Sequence, residues 1–261
     1  MSNNKTDEIK IDDRRKMILE ELNREGKIKV SDLSKKFNIS EVTIRNDLSD
    51  LEQMGMLERI HGGAVSTHKA YYRMSLKEKM QTNQEEKRSI AAEIASMISD
   101  GDSIMMDSGT TTLFVAKELK NLKGITVLTN SLAIAEEIGY RENISVILLG
   151  GSLYPKHQFT YGDDVINQLK KYKADIMILA ADGVSAEEGI TTYHYLESEV
   201  SRQMMARASK TIVAADFSKI GRVSFAYIDS IENVDVVVTN TKANKEEIEL
   251  IRKKGVEVKL A

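Results

Sequence analysis

The chain has 261 residues, enough for one large domain or for a small domain followed by a medium-sized one. Its composition, with 41% hydrophobic and 30% charged residues, is that of a globular protein and excludes a disordered chain. The net charge of −3 does not indicate a nucleic-acid-binding protein. Residues 1–66 carry twelve Lys/Arg against thirteen Asp/Glu, so any contact with DNA has to come from local placement of charge.

Targeting and metal-binding signals are missing from the sequence. The polar start MSNNKTDEIKIDD lacks the apolar core of a signal peptide, and the longest apolar run, Ile176 to Ala181, is too short to cross a bilayer. There is no cysteine, hence no disulfide and no thiolate ligand. The histidines show no metal-ligand spacing and are expected to be ordinary surface or loop residues. We expect a cytoplasmic protein without membrane contact, metal or cofactor.

Residues 1–66 are predicted to form three helices and a hairpin. The first helix spans Asp12 to Glu25 and ends at Gly26, and the second begins at Val30 with Ser31 as its N-cap. Ser40 caps the third helix, which Gly55 ends. The buried seam of this third helix is predicted to consist of the apolar residues at helical spacing, Ile44, Leu48 and Leu51. The segment from Met56 to Val65, with Gly62-Gly63 at its centre, is typical of the wing of a winged helix.

The opposite side of the third helix carries residues suited to reading bases in the major groove. Arg45 is suited to a bidentate contact with guanine, Asn46 to one with adenine, and Thr43 to a thymine methyl group or a phosphate. Arg59 and His61 lie in the wing, where contacts with phosphate or the minor groove are natural. The candidate DNA-binding residues are Ser40, Glu41, Thr43, Arg45, Asn46, Ser49, Arg59 and His61. The pattern alone is equally compatible with a three-helix unit used for packing, in which Arg45 is a solvated surface charge.

A resemblance separates these alternatives. The segments RRKMILEEL and VSDLSKKFNISEVTIRNDLSDLEQMGMLERIHGGAV resemble the N-terminal region of the DeoR family of bacterial repressors over residues 14–65. The most specific part runs from Ser40 through Thr43, Arg45 and Asp47 to the segment His61-Gly62-Gly63-Ala64. Family members usually carry a basic residue where this chain has Asn46, so the resemblance implies an altered contact with the operator at that position.

Beyond a polar linker predicted over residues 67–87, which leads into a helix predicted from Glu85 to Ser99, the pattern changes to an α/β domain over residues 88–261. The Lys/Glu mixture at residues 77–88 is expected to be a solvated helix face or linker. Short apolar runs alternate with amphipathic helical segments, which predicts a mostly parallel sheet covered on both faces. The predicted strands are Ser103–Met106, Ile125–Thr129, Ser145–Leu149, Asp175–Ala180, Thr211–Ala214, Val234–Thr239 and Val256–Leu260. Such a sheet binds ligands at the carboxyl ends of its strands.

The segment from Asp107 to Thr112 follows the first of these strands and opens a helix. Backbone N–H groups at a helix N-terminus, beside small hydroxyl side chains, can hold an anion. The same residues also suit a strand-to-helix turn in which the threonines act only as caps. The segment is neither a P-loop nor a dinucleotide-binding fingerprint, because the residues that define those motifs are absent.

Further small or polar motifs fall at strand ends or in predicted loops. They are Thr129-Asn130-Ser131, Leu149-Gly150-Gly151, Phe159 to Gly162, Ala181-Asp182-Gly183 and Asp216 to Gly221. With the segment Glu197 to Met204, they resemble, in the same order, the effector domain of the DeoR family, which is similar in fold to ribose-5-phosphate isomerase. The resemblance implies that Ser108, Gly109, Thr110 and Thr111 hold a phosphate and that Lys219 adds positive charge. It implies that Asn130, Gly151, Asp182 and Glu197 line the sugar end.

The leading hypothesis is a transcriptional regulator, most simply a repressor of sugar-metabolism genes, whose binding to double-stranded operator DNA changes when a phosphorylated sugar binds. The alternative is a sugar-phosphate isomerase-like enzyme with an accessory DNA-binding head, since acid/base chemistry is within reach of Asp182, Glu197, Glu199 and Lys219. An enzyme gives no reason for a complete head, so we predict no catalytic residue. An activator requires the same DNA-binding head as a repressor, so the sequence does not distinguish these two kinds of regulator. We expect a homodimer or homotetramer, because one recognition helix reads few base pairs.

Overall fold

A computed structural model describes residues 11–25, 27–54, 56–65 and 74–261. The contacts divide the chain into two compact units, Met1–Gln84 and Glu85–Ala261. In the part of the chain that is described, no helix has the length and apolar character needed to span a membrane.

The first unit contains a winged helix. Its helices are α1 (Ile11–Glu25), α2 (Val30–Phe37) and α3 (Glu41–Gln53), and its strands are β1 (Lys27–Lys29), β2 (Glu58–Ile60) and β3 (Gly63–Val65). The strands pair antiparallel in the order β1-β3-β2. The predicted helices and hairpin are confirmed, whereas β1 was not predicted. Gly63 allows β1 to approach the wing, because a Cβ at this position would lie 2.0 Å from the carbonyl oxygen of Ile28.

The helix starts of this unit only partly follow the prediction. Ser40 caps α3 as predicted, with its hydroxyl accepting a hydrogen bond from the Thr43 N–H at 3.2 Å. The prediction that Ser31 caps α2 is wrong: α2 already begins at Val30, Lys29 occupies the cap position without a side-chain bond, and the Ser31 hydroxyl donates to Asp32. Val30 enters the helix because its side chain is buried in the core. The predicted helix ends at Gly26 and Gly55 lie outside the described residues.

The range predicted as linker contains a helix that was not predicted. Residues 66–73 lie outside the described part of the chain, but α4 (Leu76–Gln81) falls within that range, and α5 (Gln84–Ala95) agrees with the helix predicted from Glu85. A capping box begins α4: Ser75 Oγ accepts from the Glu78 N–H, and the Glu78 carboxylate accepts from the Ser75 N–H. Leu76 is buried. The polar composition concealed this helix, because a single buried leucine and a good cap leave little periodic signal.

The second unit is built on a seven-stranded, all-parallel sheet in the order β15-β14-β12-β9-β4-β5-β6. These strands are β4 (Ser103–Met106), β5 (Ile125–Thr129), β6 (Ile144–Leu148), β9 (Ala174–Ala180), β12 (Ala208–Ala214), β14 (Val236–Thr239) and β15 (Glu257–Leu260). The later helices are α6 (Thr110–Glu118), α7 (Leu132–Ile138), α8 (Asp163–Leu169), α9 (Tyr195–Met205) and α10 (Lys245–Lys253). The predicted parallel α/β sheet, with all seven predicted strands, is confirmed.

Two small antiparallel sheets accompany the main sheet. One pairs β7 (Ser152–Tyr154) with β8 (Phe159–Tyr161), and the other has the order β10-β11-β13, formed by Gly183–Ser185, Gly189–Thr192 and Ala226–Asp229. The segment from Phe159 to Gly162 was predicted as a loop, and that prediction is wrong for the residues of β8. With three residues each, β7 and β8 carry too few alternations to be recognised from periodicity alone.

The order of the main sheet reverses direction between β4 and β9. From β4 the chain proceeds through β5 and β6 towards one edge, and from β9 it proceeds through β12, β14 and β15 towards the other. Such a reversal opens a crevice beyond the carboxyl ends of the two central strands, which is where open α/β sheets bind ligands. Asp107 follows β4 and Asp182 closely follows β9, so both residues lie at this crevice.

Candidate functional site

The outer face of α3 carries the predicted base-reading residues. Ile44, Leu48 and Leu51 are at most 2% exposed and turn one side of the helix into the core. Arg45 lies on the other side with its side chain 51% exposed, held near Glu41 by an ion pair of 2.6 Å. Most of the eight predicted residues are exposed, and Thr43 and Ser49 are half-buried. The assignment of these residues to DNA contact stays a prediction.

The predicted DNA contacts did not include two further residues of α3, Val42 and Asp47. Val42 was not predicted as a DNA contact, yet its side chain is 64% exposed near the start of the helix, where an apolar group suits a thymine methyl. Asp47, part of the segment that carries the family resemblance, is 2% exposed and faces the protein. Its carboxylate accepts hydrogen bonds from the guanidinium groups of Arg14 and Arg15 on α1. These bonds keep α3 against α1.

Arg45 supports a direct test of base reading. We expect Arg45→Ala to lower the affinity for operator DNA by about 1–3 kcal/mol per half-site while folding is unchanged, because a bidentate contact with guanine is lost. Arg45→Lys is the matched control that keeps the charge but loses the planar fork, and it should lose most of the same specificity. The measurement is a fluorescence titration with a DNA fragment selected from random sequence by the wild-type protein. Unchanged affinity in Arg45→Ala would remove this residue from the reading surface.

In the second unit, the segment after β4 forms the turn that the sequence predicted. α6 begins at Thr110 with Gly109 at its N-cap. A Cβ on Gly109 would lie 2.0 Å from the Cβ of Ala180, so only glycine allows this turn to approach β9. The Thr112 hydroxyl donates to the Gly109 carbonyl at 2.7 Å, which secures the first turn of the helix. The first N–H groups of α6 therefore lie beside the crevice.

A chain of hydrogen bonds joins four side chains across the crevice. The Ser108 hydroxyl donates to Glu197 Oε1 at 2.5 Å, and the Thr192 hydroxyl lies 3.2 Å from Glu197 Oε2 and 3.3 Å from Asp182 Oδ2. The Tyr193 N–H also donates to Asp182 Oδ2, at 3.0 Å. Thus three of the predicted effector residues, far apart in sequence, form one connected group. Thr192, which links two of them, was missed because it lies on a short strand without a recognisable pattern.

Asp107 is a buried carboxyl group at the centre of this region. Burial raises the pKa of Asp107 well above its ordinary value, and the negative charge of Glu197 raises it further. Hydrogen bonds from the N–H groups of Ala180 and Gly109 act in the opposite direction. The protonated form is therefore favoured relative to an exposed aspartate. The motif containing Asp107 was recognised from the sequence, but this residue was not predicted to belong to the site.

Lys219 completes the group at the crevice. It ends a short 3₁₀ helix (Phe217–Lys219), is buried, and lies with its Nζ 3.9 Å from Asp182 Oδ1. Burial by itself raises the pKa of the neighbouring Asp216, but the positive charges of Lys219 and Lys87 and the hydrogen bonds from Ser218 outweigh it, so this pKa lies below its ordinary value. Asp216 on this loop is thus a buried carboxylate that lies near two buried lysines, Lys219 of the same loop and Lys87 of α5.

Lys87 is a correction to the sequence analysis, which took residues 77–88 for a linker or a solvated helix face. The side chain of Lys87 is completely buried. The helical spacing of Lys87 could have revealed its burial. Lys87 shares one face of α5 with the apolar residues Ile90, Ala91 and Ile94, which are also fully buried. A lysine on the apolar face of a helix points to a partner in the interior.

Asn130 and Gly151 belong to a second set of contacts, at the ends of β5 and β6. The Asn130 amide nitrogen donates to the Thr160 carbonyl at 2.9 Å, while its Oδ1 atom is buried without a hydrogen-bond partner among the described residues. Gly151 lies so close to β8 that a Cβ would come within 2.7 Å of the Tyr161 carbonyl oxygen. Both residues lie on the same edge of the sheet as the first group, since all seven strands are parallel.

His157 lies in a turn between β7 and β8, in agreement with the expectation of surface or loop histidines, but it is not a surface residue. Its ring is buried, stacks on Tyr154 with 5.6 Å between the centroids, and lies 4.8 Å from the ring of His194. No group of three or more residues suited to binding a metal occurs in the described part of the chain. His68 lies outside the described residues. Sequence spacing could not reveal this cluster, because β7, β8 and the start of α9 bring it together.

The two units together define a class of protein: a winged helix that presents a capped recognition helix, joined to an α/β domain with a polar crevice. Two family models match the chain, the DeoR-like helix-turn-helix domain over residues 14–70 and the DeoR C-terminal sensor domain over residues 82–241. The chain belongs to the DeoR family of DNA-binding transcriptional regulators, as its sequence predicted.

Comparisons with whole proteins agree with this assignment. The chain is 35% identical to the HTH-type transcriptional regulator GolR of Listeria innocua over 249 residues, which is 95% of this chain and 98% of that protein. It is 34% identical to the HTH-type transcriptional repressor GlcR of Bacillus subtilis over 241 residues, 92% and 93% of the two chains. These relatives are named as regulators and not as enzymes, so the isomerase alternative is set aside.

A solved structure gives a more distant match. Ribose 5-phosphate isomerase A from Neisseria gonorrhoeae aligns with a TM-score of 0.39 and 18% identity over 54% of this chain and 53% of that protein. A match at this distance says nothing about the activity of this chain.

Proposed function

We propose that the protein is a repressor of sugar-metabolism genes that binds operator DNA as a symmetric homodimer or homotetramer and responds to a phosphorylated sugar. The observation that carries the proposal is the juxtaposition of the N-terminal turn of α6, a buried lysine and a row of hydrogen-bond acceptors in one crevice. A sugar phosphate offers the matching groups, a dianion at one end and several hydroxyl donors along its length. The family membership supports the operator as the partner, and a bacterial operator lies in the cytoplasm.

The phosphate end is assigned to the first turn of α6. Free N–H groups at the start of a helix attract anions through hydrogen bonding and the helix dipole. Ser108, Gly109, Thr110 and Thr111 form this turn, and Lys219 supplies a positive charge at the same crevice. Lys219 is near two acidic residues, so its charge is partly balanced before ligand binds, and a phosphate competes with Asp182 for it.

The sugar end is assigned to the acceptors. Asp182 and Glu197 present carboxylate oxygens, and Asn130 presents an amide oxygen that is buried without a partner within the described residues. A buried acceptor without a partner is rare, because leaving it unsatisfied costs about 1–3 kcal/mol. A ligand hydroxyl removes that cost when it donates to Asn130 Oδ1. The repressing role is supported by the relatives named as repressors, whereas the geometry alone suits an activator equally.

The test is a thermal-shift screen with ribose 5-phosphate, glucose 6-phosphate and fructose 6-phosphate, each beside its unphosphorylated sugar and inorganic phosphate. A ligand at 100 times its Kd should stabilise the fold by about 2.7 kcal/mol. We expect at least one sugar phosphate to stabilise the protein more than the sugar or phosphate alone, and to change its affinity for operator DNA. If none of them binds, the proposed effector class is wrong.

Variants of the crevice locate the site. We expect Lys219→Ala and Thr110→Val each to weaken sugar-phosphate binding by about 1.5–3 kcal/mol, because each loses a charge or hydrogen bond to the phosphate. Operator binding in the absence of ligand should stay unchanged. Lys171→Ala, which removes an exposed lysine of the same unit, is the matched control. Calorimetric titration measures the affinities, and wild-type affinity in both variants would place the ligand elsewhere.

A further inference from the structure

Lys87 lies on α5, the first helix of the second unit, near the loop that carries Asp216 and Lys219. The Asn240 side chain joins these two parts: its amide nitrogen donates to the Glu86 carbonyl at 3.3 Å and to the Ser89 hydroxyl at 3.1 Å. Its Oδ1 atom accepts from the Phe217 N–H, also at 3.3 Å. Asn240 is buried at the end of β14, and these bonds hold the first turn of α5 against the loop that carries Asp216 and Lys219.

The charges in this contact form an alternating series. The carboxylate of Asp216 is buried and is influenced by the positive charges of both Lys219 and Lys87. Lys219 in turn lies 3.9 Å from Asp182 at the crevice. The interactions of buried charges are strong and weakly screened, so a new anion at one end of such a series changes the balance along it. Lys87 occupies the other end.

The position of Lys87 in the chain matters because the boundary between the two units is only three residues away. α4, which ends at Gln81, belongs to the first unit, and α5 begins at Gln84. Between these helices the backbone of Asn83 adopts a left-handed conformation with φ of 45°. Only Thr82 and Asn83 separate the end of α4 from the start of α5.

We propose that Lys87 is a positioning residue of the effector site, which holds Asp216 and through it Lys219, and that it transmits ligand occupancy to the joint with the DNA-binding head. The proposal rests on the proposed function. A phosphate that engages Lys219 weakens the attraction between Lys219 and Asp216 and increases the share of Lys87 in holding Asp216, and this favours a different position of the first turn of α5. A ligand shifts such an equilibrium only as far as it binds the two arrangements with different affinity.

The test compares Lys87→Met with Arg88→Met, the matched control at the exposed neighbouring position. Two quantities are measured at one salt concentration: the affinity for ribose 5-phosphate, glucose 6-phosphate and fructose 6-phosphate, and the change in operator affinity that each sugar phosphate causes. Wild type and Arg88→Met should show a change of about 5- to 150-fold. In Lys87→Met we expect the change to fall below about 2-fold while the sugar phosphate still binds within about 10-fold of wild type.

The outcomes separate this inference from the proposed function. If wild-type protein binds none of the sugar phosphates, both fail. If it binds one and Lys87→Met retains the full operator response, only the inference fails. Lys87→Arg, which keeps the charge, should restore part of the response, which a merely structural defect would not predict. If Lys87→Met does not fold, the double variant Lys87→Met/Asp216→Asn removes both buried charges together, and a wild-type operator response in it overturns the proposal.

Discussion

Asp47→Ala is expected to destabilise the DNA-binding head by about 3–5 kcal/mol, the cost of breaking a buried ion pair by removing one partner. Asp47 is 2% exposed, and its carboxylate accepts hydrogen bonds from Arg14 Nε at 2.5 Å and from Arg14 Nη2 at 3.0 Å. The hydrogen bond with Asp47 raises the pKa of Arg14 despite its partial burial, so the arginine stays charged. Without the carboxylate, that charge is left in the interface between α1 and α3.

Such a loss is large against the 5–15 kcal/mol that typically separates a folded domain from its unfolded state. Asp50→Ala is the matched control. Asp50 lies on α3, as Asp47 does, and pairs with Arg15 of α1, but the Asp50 side chain is 46% exposed. An exposed pair contributes about 1 kcal/mol or less. Urea unfolding followed by circular dichroism measures both variants. Equal stabilities of Asp47→Ala and Asp50→Ala would contradict a structural role for Asp47 and favour a direct role in DNA binding.

Gly109→Ala is expected to abolish most sugar-phosphate binding. The added methyl group would lie 2.0 Å from the Cβ of Ala180 and 3.1 Å from Thr112 Oγ1. Since the φ of −71° at Gly109 suits alanine, the effect is steric and not conformational. The turn after β4 has to move away from β9, which costs about 1–3 kcal/mol of stability. The N–H groups that face the phosphate move with it, and the loss of two charge-assisted hydrogen bonds lowers affinity by about 100-fold or more.

Gly150→Ala is the control for this substitution. Gly150 also follows a strand of the parallel sheet, but the nearest atom to an added Cβ is Gln168 Nε2 at 3.7 Å, an ordinary contact distance. Calorimetric titration with the sugar phosphate found in the screen, together with a thermal melt, measures both variants. We expect Gly150→Ala to stay close to wild type. If Gly109→Ala binds the ligand as tightly as Gly150→Ala, the turn after β4 does not hold the phosphate.

Local sequence determined the main helices of this protein and the seven strands of its parallel sheet. Most of the seven strands of the parallel sheet are rich in apolar residues, and Ser40 caps α3 through a bond that spans three residues. The motifs at the strand ends were recognisable for the same reason: glycine, asparagine and aspartate at these positions reflect a turn that is itself local. Where backbone conformation and burial follow from neighbours within about one helical turn, pattern and periodicity are sufficient.

Tertiary structure decided which charged side chains are buried. Lys87 lies in a polar stretch that reads as solvated, yet it is buried because Asp216, on a distant loop, supplies the opposite charge. Asp47 lies in a motif of the recognition helix, yet it faces inward because α1 presents Arg14 and Arg15. Thr192 joined the site only through the pairing of short strands. A charged group is buried when the fold brings it a partner, and partners distant in sequence leave no signal in the local pattern.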